Sequence, residues 1–273
     1  MTVLVTGATG TVGRHVVGHV LGHGADVRCL TRNAERANLP GGVGIVEGDL
    51  AAPQSLGQVF HGVTAAHLIC FAGDDYAPLE HAGEIAMMLA DAGVQRVTVL
   101  KGEPQESAIE QAVRRTETEW TFLGPVEFMA NMHSWADGVR AGVIEEAFVD
   151  VPSTVVHEAD IAAVAAQVLC DGGHHGETLL ITGPEALTVR ERVSIIGEVT
   201  GAELDLVELS AAQIQKQWRS WGFSDDDIAY MLQMKTDSPE ASRTPTDTVR
   251  RVTGSAPRTF RDWVSEHRAA FIG

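Results

Sequence analysis

A lysine and a group of glycines are the residues in this chain whose type and spacing could do chemistry. Lys101 follows an apolar run in VTVLKGE, residues 97–103, and three glycines lie in TGATGTVG, residues 6–13. An ammonium at the end of a buried strand can donate hydrogen bonds to sugar hydroxyls, or polarise a carbonyl as negative charge develops on its oxygen. The same lysine can also be a solvated side chain that pairs with Glu103.

The pattern of apolar residues predicts the elements that position these side chains. Short apolar runs alternate with longer segments of helical period, which is typical of βαβ units and a parallel sheet. We predict strands at residues 3–5, 26–30, 44–47, 66–71, 97–100, 120–123 and 178–182, and helices at residues 12–21, 54–60, 79–92, 106–116, 159–169 and 189–199. The predicted fold class is α/β, with a doubly wound parallel sheet.

The glycines have the spacing of a phosphate-binding turn. They follow the first predicted strand and precede an amphipathic helix, in the order G-x-x-G-x-x-G. Gly7 allows the chain to turn sharply, Gly10 allows a pyrophosphate to come close, and Gly13 allows the helix to press on the sheet. Backbone N–H groups at the helix start then point at the anion. The residues predicted to line this turn are Gly7, Thr9, Gly10, Thr11, Val12 and Gly13.

The end of the second predicted strand distinguishes two nicotinamide nucleotides. NAD sites commonly place Asp or Glu there to accept a hydrogen bond from the ribose 2′-OH, whereas NADP sites place a cation against the 2′-phosphate. This strand runs into Thr31 and Arg32, with no acid at its tip, and a guanidinium can bind phosphate through two N–H groups. The sequence therefore favours NADP(H) over NAD(H) as the cofactor, unless Arg32 pairs with Glu35 or another surface acid.

Three further residues are candidates for contact with the cofactor. Asp49 and Leu50 follow the third predicted strand, where a carboxylate can meet the adenine amino group while Leu50 packs on the ring. Asp49 can equally be the N-cap of a short turn. Phe71, at the end of the fourth predicted strand, can pack either on the cofactor or in the core.

The tail of the chain differs in composition from the predicted sheet region. Strand signals become rare, and aromatic and methionine side chains become frequent. We predict an NADP-binding domain over residues 1–183, in which residues 131–150 contribute to the substrate pocket, and a smaller substrate-binding lobe over residues 184–273. Thr188 and Ser224 are predicted to cap helices of this lobe.

Composition and charge exclude several classes of partner. The chain has 273 residues, of which 20 are basic and 37 acidic, and its formal net charge is −17. That field repels phosphate backbones and anionic membranes, so we expect neither nucleic acid nor a membrane as a partner. The sequence begins with a strand rather than a leader, and no apolar run approaches the ~20 residues that span a bilayer, which predicts a cytoplasmic protein. We expect a monomer or a homodimer.

Cysteine and histidine spacing gives no sign of a disulfide or a metal site. Cys29, Cys70 and Cys170 are far apart and lie in apolar surroundings, which predicts buried free thiols in a reducing compartment. His174 and His175 lie in a glycine-flanked loop with no Asp, Glu or Cys at ligand spacing. We therefore predict no bound metal.

Several longer segments carry a family resemblance that runs essentially end to end. They are TGATGTVG at 6–13, LTR at 30–32, GDL at 48–50, AVRRTETEWTFLGPVEFMANM at 112–132, HEADIAAVAAQVL at 157–169, LLITGPEALT at 179–188 and TDTVRRVTGSAPRTFRDWV at 246–264. With them the chain resembles the NmrA-like group of atypical short-chain dehydrogenases/reductases. The resemblance implies a Rossmann-type sheet that binds NADP(H) or NAD(H), with a small C-terminal lobe over the nicotinamide. It also implies reduction of quinones, enones or imine-like bonds, as in some members, or only sensing of the nucleotide's redox state, as in others.

The chain departs from this resemblance where the proton donor would stand. Short-chain reductases use Tyr-x-x-x-Lys, in which the tyrosine donates a proton, but neither Tyr76 nor Tyr230 is followed by lysine at the fourth position. Glu106 occupies the place of a lysine that many relatives keep, and Lys101 with Gly102 replaces the usual Ser-Ser. Ligands of such sheets bind outside the carboxyl ends of the strands, so Lys101 is expected near the nicotinamide ribose.

The predicted catalytic residues are Lys101 and Tyr230, the one phenol that could reach the site as an acid. The predicted substrate pocket is lined by Phe128, Asn131, His133, Trp135, Trp218, Trp221 and Tyr230, although aromatic sets of this kind also pack small lobes.

We predict an NADPH-dependent oxidoreductase that transfers hydride to an activated carbonyl, quinone or conjugated π-system of a bulky hydrophobic small molecule. The alternative is a non-catalytic NADP(H)-binding redox sensor. A flavin-assisted reductase is a third possibility, and no feature of the sequence distinguishes it from the other two.

Overall fold

The computed structural model describes residues 1–73 and 77–273, so Tyr76 lies outside the described residues. The strands are β1 (Thr2–Val5), β2 (Asp26–Thr31), β3 (Gly44–Glu47), β4 (Ala65–Ile69), β5 (Phe71–Ala72), β6 (Ala77–Pro78), β7 (Arg96–Leu100), β8 (Glu119–Pro125), β9 (Val143–Ala147), β10 (Thr178–Ile181) and β11 (Asp205–Leu209). The α-helices are α1 (Gly13–Gly22), α2 (Ala82–Asp91), α3 (Ala108–Arg114), α4 (Ala136–Ala141), α5 (Glu158–Asp171), α6 (Val189–Thr200), α7 (Ala211–Ser220), α8 (Asp225–Thr236), α9 (Thr248–Thr253), α10 (Phe260–Glu266) and α11 (Arg268–Ile272). Short 3₁₀ helices lie at Pro53–Leu56, Met129–Trp135 and Glu240–Ser242.

The contacts within the chain form two units, each assembled from three separate segments. Unit 1 contains Met1–Pro125, Glu158–Ile181 and Thr248–Ser255, and unit 2 contains Val126–His157, Thr182–Asp247 and Ala256–Gly273. The sequence, in contrast, predicts one boundary at residue 183. Which part of the chain binds nucleotide and which binds substrate stays a prediction.

Unit 1 is built on a seven-stranded sheet with the order β10-β8-β7-β4-β1-β2-β3. Every neighbouring pair in this sheet is parallel, and each strand overlaps one of the predicted strands. The order reverses at β1, because β2 and β3 extend the sheet on one side and the later strands extend it on the other. The predicted α/β class with a doubly wound parallel sheet is therefore confirmed. Ligands of such sheets bind beside this reversal.

Apolar side chains on the faces of this sheet hold its strands in place. Leu4, Leu68 and Val99 belong to a buried cluster that also contains Ile85 of α2 and Ile109 of α3. Elsewhere in unit 1, α1 and α5 pack against each other through buried valine and alanine side chains. Burial of one valine, leucine or isoleucine side chain stabilises a fold by about 1.5–3 kcal/mol. This core therefore fixes the strands whose ends carry the candidate site.

One predicted strand of unit 1 is too long. The strand predicted at residues 66–71 ends at Ile69, whose N–H donates to the Thr6 hydroxyl at 2.9 Å. β1 ends before Thr6, so the backbone of β4 has no further strand partner on this side. Phe71 instead begins β5, which pairs antiparallel with β6.

The helices predicted in unit 1 are confirmed with one exception. α1, α2, α3 and α5 each fall on a predicted helix. The helix predicted at residues 54–60 is wrong, since only the 3₁₀ helix over Pro53–Leu56 forms there. Gly57 follows it directly, and glycine disfavours a helical backbone.

Unit 2 contains a small sheet that the sequence does not predict, in which β9 and β11 pair in parallel. The buried core of unit 2 consists mainly of sulfur-containing, aromatic and branched side chains, among them Met129, Met132, Trp135, Val193, Ile196, Phe260, Trp263 and Phe271. The predicted caps Thr188 and Ser224 are confirmed, because each side chain accepts a hydrogen bond from the backbone N–H three residues on. These caps fix where α6 and α8 begin.

Two features are absent from residues 1–73 and 77–273. No helix there combines the length and the apolar character that crossing a bilayer requires. No group of three or more His, Cys, Asp or Glu there is arranged to hold a metal ion. Cys29, Cys70 and Cys170 are free thiols as predicted, but only Cys29 of the three is buried, whereas Cys70 and Cys170 are half-buried.

Candidate functional site

The first feature of the candidate site is the glycine turn between β1 and α1 in unit 1. Gly7 has a φ of +60°, a left-handed conformation that favours glycine. Gly13 requires glycine for a different reason, because a Cβ there would lie 2.0 Å from the carbonyl oxygen of Gly7. Thr9, Gly10 and Thr11 form the exposed tip of the turn. The turn is thus a narrow cradle of exposed backbone at a helix start, which fits the pyrophosphate of a dinucleotide.

Arg14 braces the tip of this turn, and no sequence prediction includes it. Its Nε and Nη2 atoms donate to the carbonyl oxygens of Gly10 (3.2 Å) and Thr9 (2.8 Å). These bonds occupy carbonyl oxygens that would otherwise repel an anion, and the guanidinium adds positive charge at the start of α1. Its place directly after the last glycine is the signal that could have revealed it. Val12, predicted to contact the cofactor, is buried.

Arg32 lies beside the turn because β2 pairs with β1 and both strands end at the same edge of the sheet. It follows β2 directly, and it is exposed. The hydroxyl of Thr31 accepts a hydrogen bond from the Asn33 N–H at 3.2 Å, which bends the chain after the strand. The placement of Arg32 next to the glycine turn is what a contact with a 2′-phosphate requires.

The residues after β3 form a short turn that begins at Asp49, which is one of the two predicted roles of this residue. Its Oδ1 accepts a hydrogen bond from the Ala51 N–H (2.9 Å), and its carbonyl oxygen accepts one from the Ala52 N–H (3.0 Å). Leu50 is buried in the core of unit 1, so its side chain contributes to packing. Phe71 is half-buried in β5. Contacts of Asp49, Leu50 and Phe71 with a cofactor stay predictions.

Lys101 follows β7, which lies two places from β1 in the sheet. Its Nζ donates to Oε1 of Glu110 at 2.5 Å and to the carbonyl oxygen of Gln105 at 3.2 Å. The Lys101 side chain is 12% exposed, and that of Glu110 is 1% exposed. The alternative of a solvated lysine that pairs with Glu103 is therefore wrong.

Glu110 holds Lys101 and also caps α3. Its Oε2 accepts hydrogen bonds from the N–H (2.9 Å) and the hydroxyl (2.6 Å) of Ser107, the N-cap of α3. Both carboxylate oxygens are thus occupied, so the ammonium of Lys101 is held in one place. The spacing Ser-x-x-Glu at residues 107–110 is the sequence signal for this capping box, although the predicted helix begins at residue 106.

Cys70 lies next to the end of β7, where a Cβ on Gly102 would come within 3.1 Å of its Sγ. Burial raises the pKa of the Cys70 thiol, and a backbone hydrogen bond at Gly102 offsets this only in part, while the Glu110 carboxylate adds to the rise. The thiol therefore stays protonated near neutral pH and is a poor nucleophile. Of these two side chains at the end of β7, the Lys101 ammonium is the one that can take part in chemistry.

The residues predicted to line the substrate pocket all belong to unit 2, and they differ in exposure. Trp135 is buried, and its indole N–H donates to Glu146 at 2.7 Å, so it is a core residue. Phe128 and Trp218 are half-buried, and Asn131, His133, Trp221 and Tyr230 are exposed. Their role in binding a substrate stays a prediction.

Unit 2 also holds a charged cluster that no sequence prediction includes: Glu127, Ser153, Arg192 and Lys235. Oε2 of Glu127 accepts from the Ser153 hydroxyl (2.8 Å) and from Nη1 of Arg192 (3.3 Å). Burial pushes the pKa of Glu127 up, but Arg192, Lys235 and Ser153 outweigh it and hold the pKa below its usual range. Glu127 is therefore ionised at neutral pH. The four residues are far apart in the sequence, so no local motif could have revealed them.

Known proteins with a similar fold or sequence indicate the class of protein to which this chain belongs. The fold matches that of the triphenylmethane reductase of Citrobacter sp. with a TM-score of 0.81 at 21% identity, covering 98% of this chain and 100% of that one. The chain is 35% identical to the (4-alkanoyl-5-oxo-2,5-dihydrofuran-3-yl)methyl phosphate reductase of Streptomyces griseus subsp. griseus, over 98% of this chain and 99% of that protein. It is 27% identical to the NAD(P)H azoreductase of Xenophilus azovorans, over 98% of this chain and 99% of that protein.

These likenesses, which run over nearly the whole chain, make it an oxidoreductase with a Rossmann-type fold. The profile of the NmrA-like family matches residues 1–99. The chain belongs to the NmrA-like family. The predicted family, fold class and enzyme class are therefore confirmed. The name of the Xenophilus azovorans relative agrees with the predicted nicotinamide cofactor.

Proposed function

We propose that the chain transfers hydride from NADPH to an activated carbonyl, quinone or conjugated π-system of a hydrophobic small molecule. The observation that carries this proposal is the ammonium of Lys101, which Glu110 and Gln105 hold at the sheet edge that also carries the glycine turn. Only β4 separates β1 from β7, so the ends of these two strands are about 10 Å apart. A dinucleotide that begins at the turn can extend to Lys101.

Bound NADPH supplies the hydride, and the residues of the chain bind it and prepare the acceptor. The glycine turn would hold the pyrophosphate, and Arg32 would bind the 2′-phosphate. Lys101 has three N–H bonds, two of which serve Glu110 and Gln105, so one remains for a ribose hydroxyl or for the acceptor oxygen. In the second role the ammonium stabilises negative charge on that oxygen as hydride arrives. Proton donation by Tyr230, which belongs to unit 2, stays a prediction.

The names of the relatives support an activated acceptor. The compound in the name of the Streptomyces griseus enzyme is a lactone whose ring double bond is conjugated with two carbonyl groups, and it carries a phosphate ester. Such a double bond accepts hydride because the carbonyl oxygens take up the resulting charge. That chemistry fits a site with an ammonium and no Tyr-x-x-x-Lys. We therefore place conjugated lactones and ketones first among the candidate substrates.

Loss of NADPH absorbance with quinones, cyclic enones and acyl butenolides tests the reaction. We expect turnover with at least one class, and Lys101→Met should lower kcat/KM by about 10–100-fold, since a charged hydrogen bond contributes about 1.5–3 kcal/mol. Lys216→Met, at an exposed position of α7, is the matched control and should leave the rate unchanged. A fall in kcat alone indicates contact with the acceptor, whereas a raised KM for NADPH indicates contact with the ribose. Nucleotide binding without reduction of any acceptor would favour the redox sensor instead.

Titration with NADPH and NADH tests the choice of nucleotide. We expect Arg32→Ala to weaken NADPH binding by about 10–100-fold and to change NADH binding little, because only NADPH carries the 2′-phosphate. Arg36→Ala removes the same charge from an exposed position four residues further on and is the control. Equal affinity of the unmodified protein for the two nucleotides would contradict the assignment of Arg32.

A further inference from the structure

Arg192 of α6 is a buried cation whose hydrogen bonds are incomplete. It is 1% exposed, and its guanidinium lies 5.7 Å from the ring centroid of Trp135. Nη1 donates to Oε2 of Glu127 at 3.3 Å and lies 3.7 Å from the sulfur of Met132. Nε is buried and has no hydrogen-bond partner among residues 1–73 and 77–273. Native proteins rarely leave a buried donor without an acceptor, so such a group calls for a ligand, an ion or a water.

Glu127 and Lys235 form the accessible side of the same cluster. Their side chains are 24% and 35% exposed. Oε2 of Glu127 accepts from Ser153 and Arg192, whereas Oε1 lies 3.9 Å from Nζ of Lys235, which is too long for a hydrogen bond. Lys235 therefore places a charged donor on the more exposed side of the cluster, and it does not form a tight ion pair with Glu127.

The charges of this cluster do not balance. Arg192 and Lys235 are cations, and among residues 1–73 and 77–273 Glu127 is the single carboxylate that contacts them, in a chain whose formal net charge is −17. Within that part of the chain, unused donors remain at Nε of Arg192 and at the Lys235 ammonium. What the cluster lacks is a negatively charged acceptor. The guanidinium edge formed by Nε and Nη2 can bind two oxygens of one carboxylate or phosphate.

We propose that Glu127, Ser153, Arg192 and Lys235 form a binding site for an oxyanion group of the substrate, either a phosphomonoester or a carboxylate. Lys235 meets the group at the accessible side, and Arg192 supplies the buried donors. The inference rests on the proposed function, because it adds an anionic substituent to the hydrophobic acceptor. A phosphate is the favoured group, since the compound in the name of the Streptomyces griseus relative carries one.

Calorimetric titration of the protein saturated with NADP⁺ tests the site without turnover. The ligands are an acyl butenolide that carries a phosphomonoester, the same lactone with a carboxymethyl group, and the free alcohol. NADP⁺ fills the glycine turn and so removes it as a second anion site. We expect the phosphate ester to bind at least about tenfold more tightly than the alcohol, because charged hydrogen bonds contribute at this level. A preference for the carboxymethyl compound would support the site and identify a carboxylate as the group.

Two substitutions give opposite predictions. Lys235→Met should reduce the preference for the phosphate ester over the alcohol about tenfold, whereas Lys216→Met removes an equal charge from an exposed position and should preserve it. Glu127→Gln removes the opposing negative charge but keeps an oxygen that can accept from Arg192, so the phosphate ester should bind more tightly.

Three results would overturn the anion site. They are binding of the phosphate ester and the carboxymethyl compound that is no tighter than binding of the alcohol by the unmodified protein, an unchanged preference in Lys235→Met, and weaker binding of the ester to a folded Glu127→Gln variant. The last would mean that Glu127 itself is the group that recognises the ligand. Failure of the proposed function is seen separately, because NADPH would then be consumed with none of the three lactones.

Discussion

Each unit contains a carboxylate paired with a cation in which one partner is 1% exposed, and the two pairs differ in how many hydrogen bonds are completed. In unit 1, Glu110 accepts from Ser107 and Lys101, and both of its oxygens are occupied. In unit 2, a single oxygen of Glu127, Oε2, accepts the hydrogen bonds from Ser153 and Arg192. Arg192 also has a buried N–H for which the described residues offer no acceptor. The first arrangement fixes one side-chain position, and the second retains the capacity to bind.

This difference shows that a buried charge serves stability or binding according to its partners. Hydrogen bonds to both carboxylate oxygens offset much of the cost of removing the charges from water. A cation with an unused buried donor keeps part of that cost until an acceptor arrives. We therefore expect substitutions in the two clusters to change the free energy of unfolding by different amounts.

The largest expected effect is at Glu110. Glu110→Ala leaves the mostly buried Lys101 ammonium without its carboxylate, and it removes the acceptor for Ser107. We expect the free energy of unfolding to fall by about 3–5 kcal/mol, as it does when one partner of a buried ion pair is removed. Urea denaturation followed by circular dichroism measures this change. A fall of less than about 1 kcal/mol would show that water replaces the carboxylate, and the contrast between the units would then be lost.

The next largest effect is the change in stability with pH that is caused by His67, a buried and uncharged side chain. His67 of β4 is fully buried, with Nδ1 2.8 Å from the Thr98 hydroxyl, and burial lowers its pKa from 6.5 to about 4. The unfolded chain binds a proton near pH 6.5 and the folded chain only near pH 4, so stability is lost as the pH falls between these values. The total loss is about 3 kcal/mol.

His67→Asn should remove this part of the pH dependence, because an amide can still bond to Thr98 and does not take up the proton. Denaturation curves at about pH 7 and about pH 4.5 for both proteins isolate the effect from that of the carboxylates. An unchanged difference between the two pH values in the variant would show that His67 is protonated in the folded protein.

A smaller effect is expected at Arg192, although it is as deeply buried as Glu110. Arg192→Met removes an incompletely bonded charge and fills most of its volume, while Glu127 keeps its hydrogen bond from Ser153. We expect the free energy of unfolding to fall by no more than about 2 kcal/mol, because the Glu127 carboxylate left behind is partly exposed and Lys235 still lies 3.9 Å from its Oε1. The same denaturation experiment measures it. A fall as large as that for Glu110→Ala would assign Arg192 a structural role.

The smallest effect is expected in an exposed copy of the same capping motif. Glu191 accepts from the N–H and the hydroxyl of Thr188, both at 2.8 Å, and these bonds lower its pKa. Its contribution is therefore present above the unfolded pKa and is lost as the pH falls through the folded pKa. Glu191→Ala should cost about 1 kcal/mol or less. A larger cost would show that the cap, rather than the buried pair with Lys101, accounts for the effect of Glu110→Ala.

The sheet and the place of Lys101 could be predicted because both depend on local patterns. The run of apolar residues up to Leu100 ends where β7 ends, and a parallel sheet puts that end at its ligand-binding edge. The Ser-x-x-Glu spacing also predicts that Glu110 caps a helix. It does not predict that the same carboxylate holds Lys101, because that contact depends on how α3 packs against β7.

The errors and omissions come from long-range contacts. β9 and β11 read VIEEA and DLVEL, in which charged residues weaken the strand pattern, and each forms only because the other is present. The strand predicted at residues 66–71 stops early because β1 turns away at the glycines. Arg192 and Glu127 come together only through the tertiary structure of unit 2, so no spacing rule could have paired them.

The interleaving of the two units limits how this enzyme can be recombined with its homologues. The chain passes from one unit to the other after residues 125, 157, 181, 247 and 255. A hybrid gene with a single crossover would therefore mix parental segments inside at least one unit, where side chains from different parents would have to pack together. Transplanting the ligand preference of unit 2 as a whole requires the simultaneous exchange of three stretches of sequence.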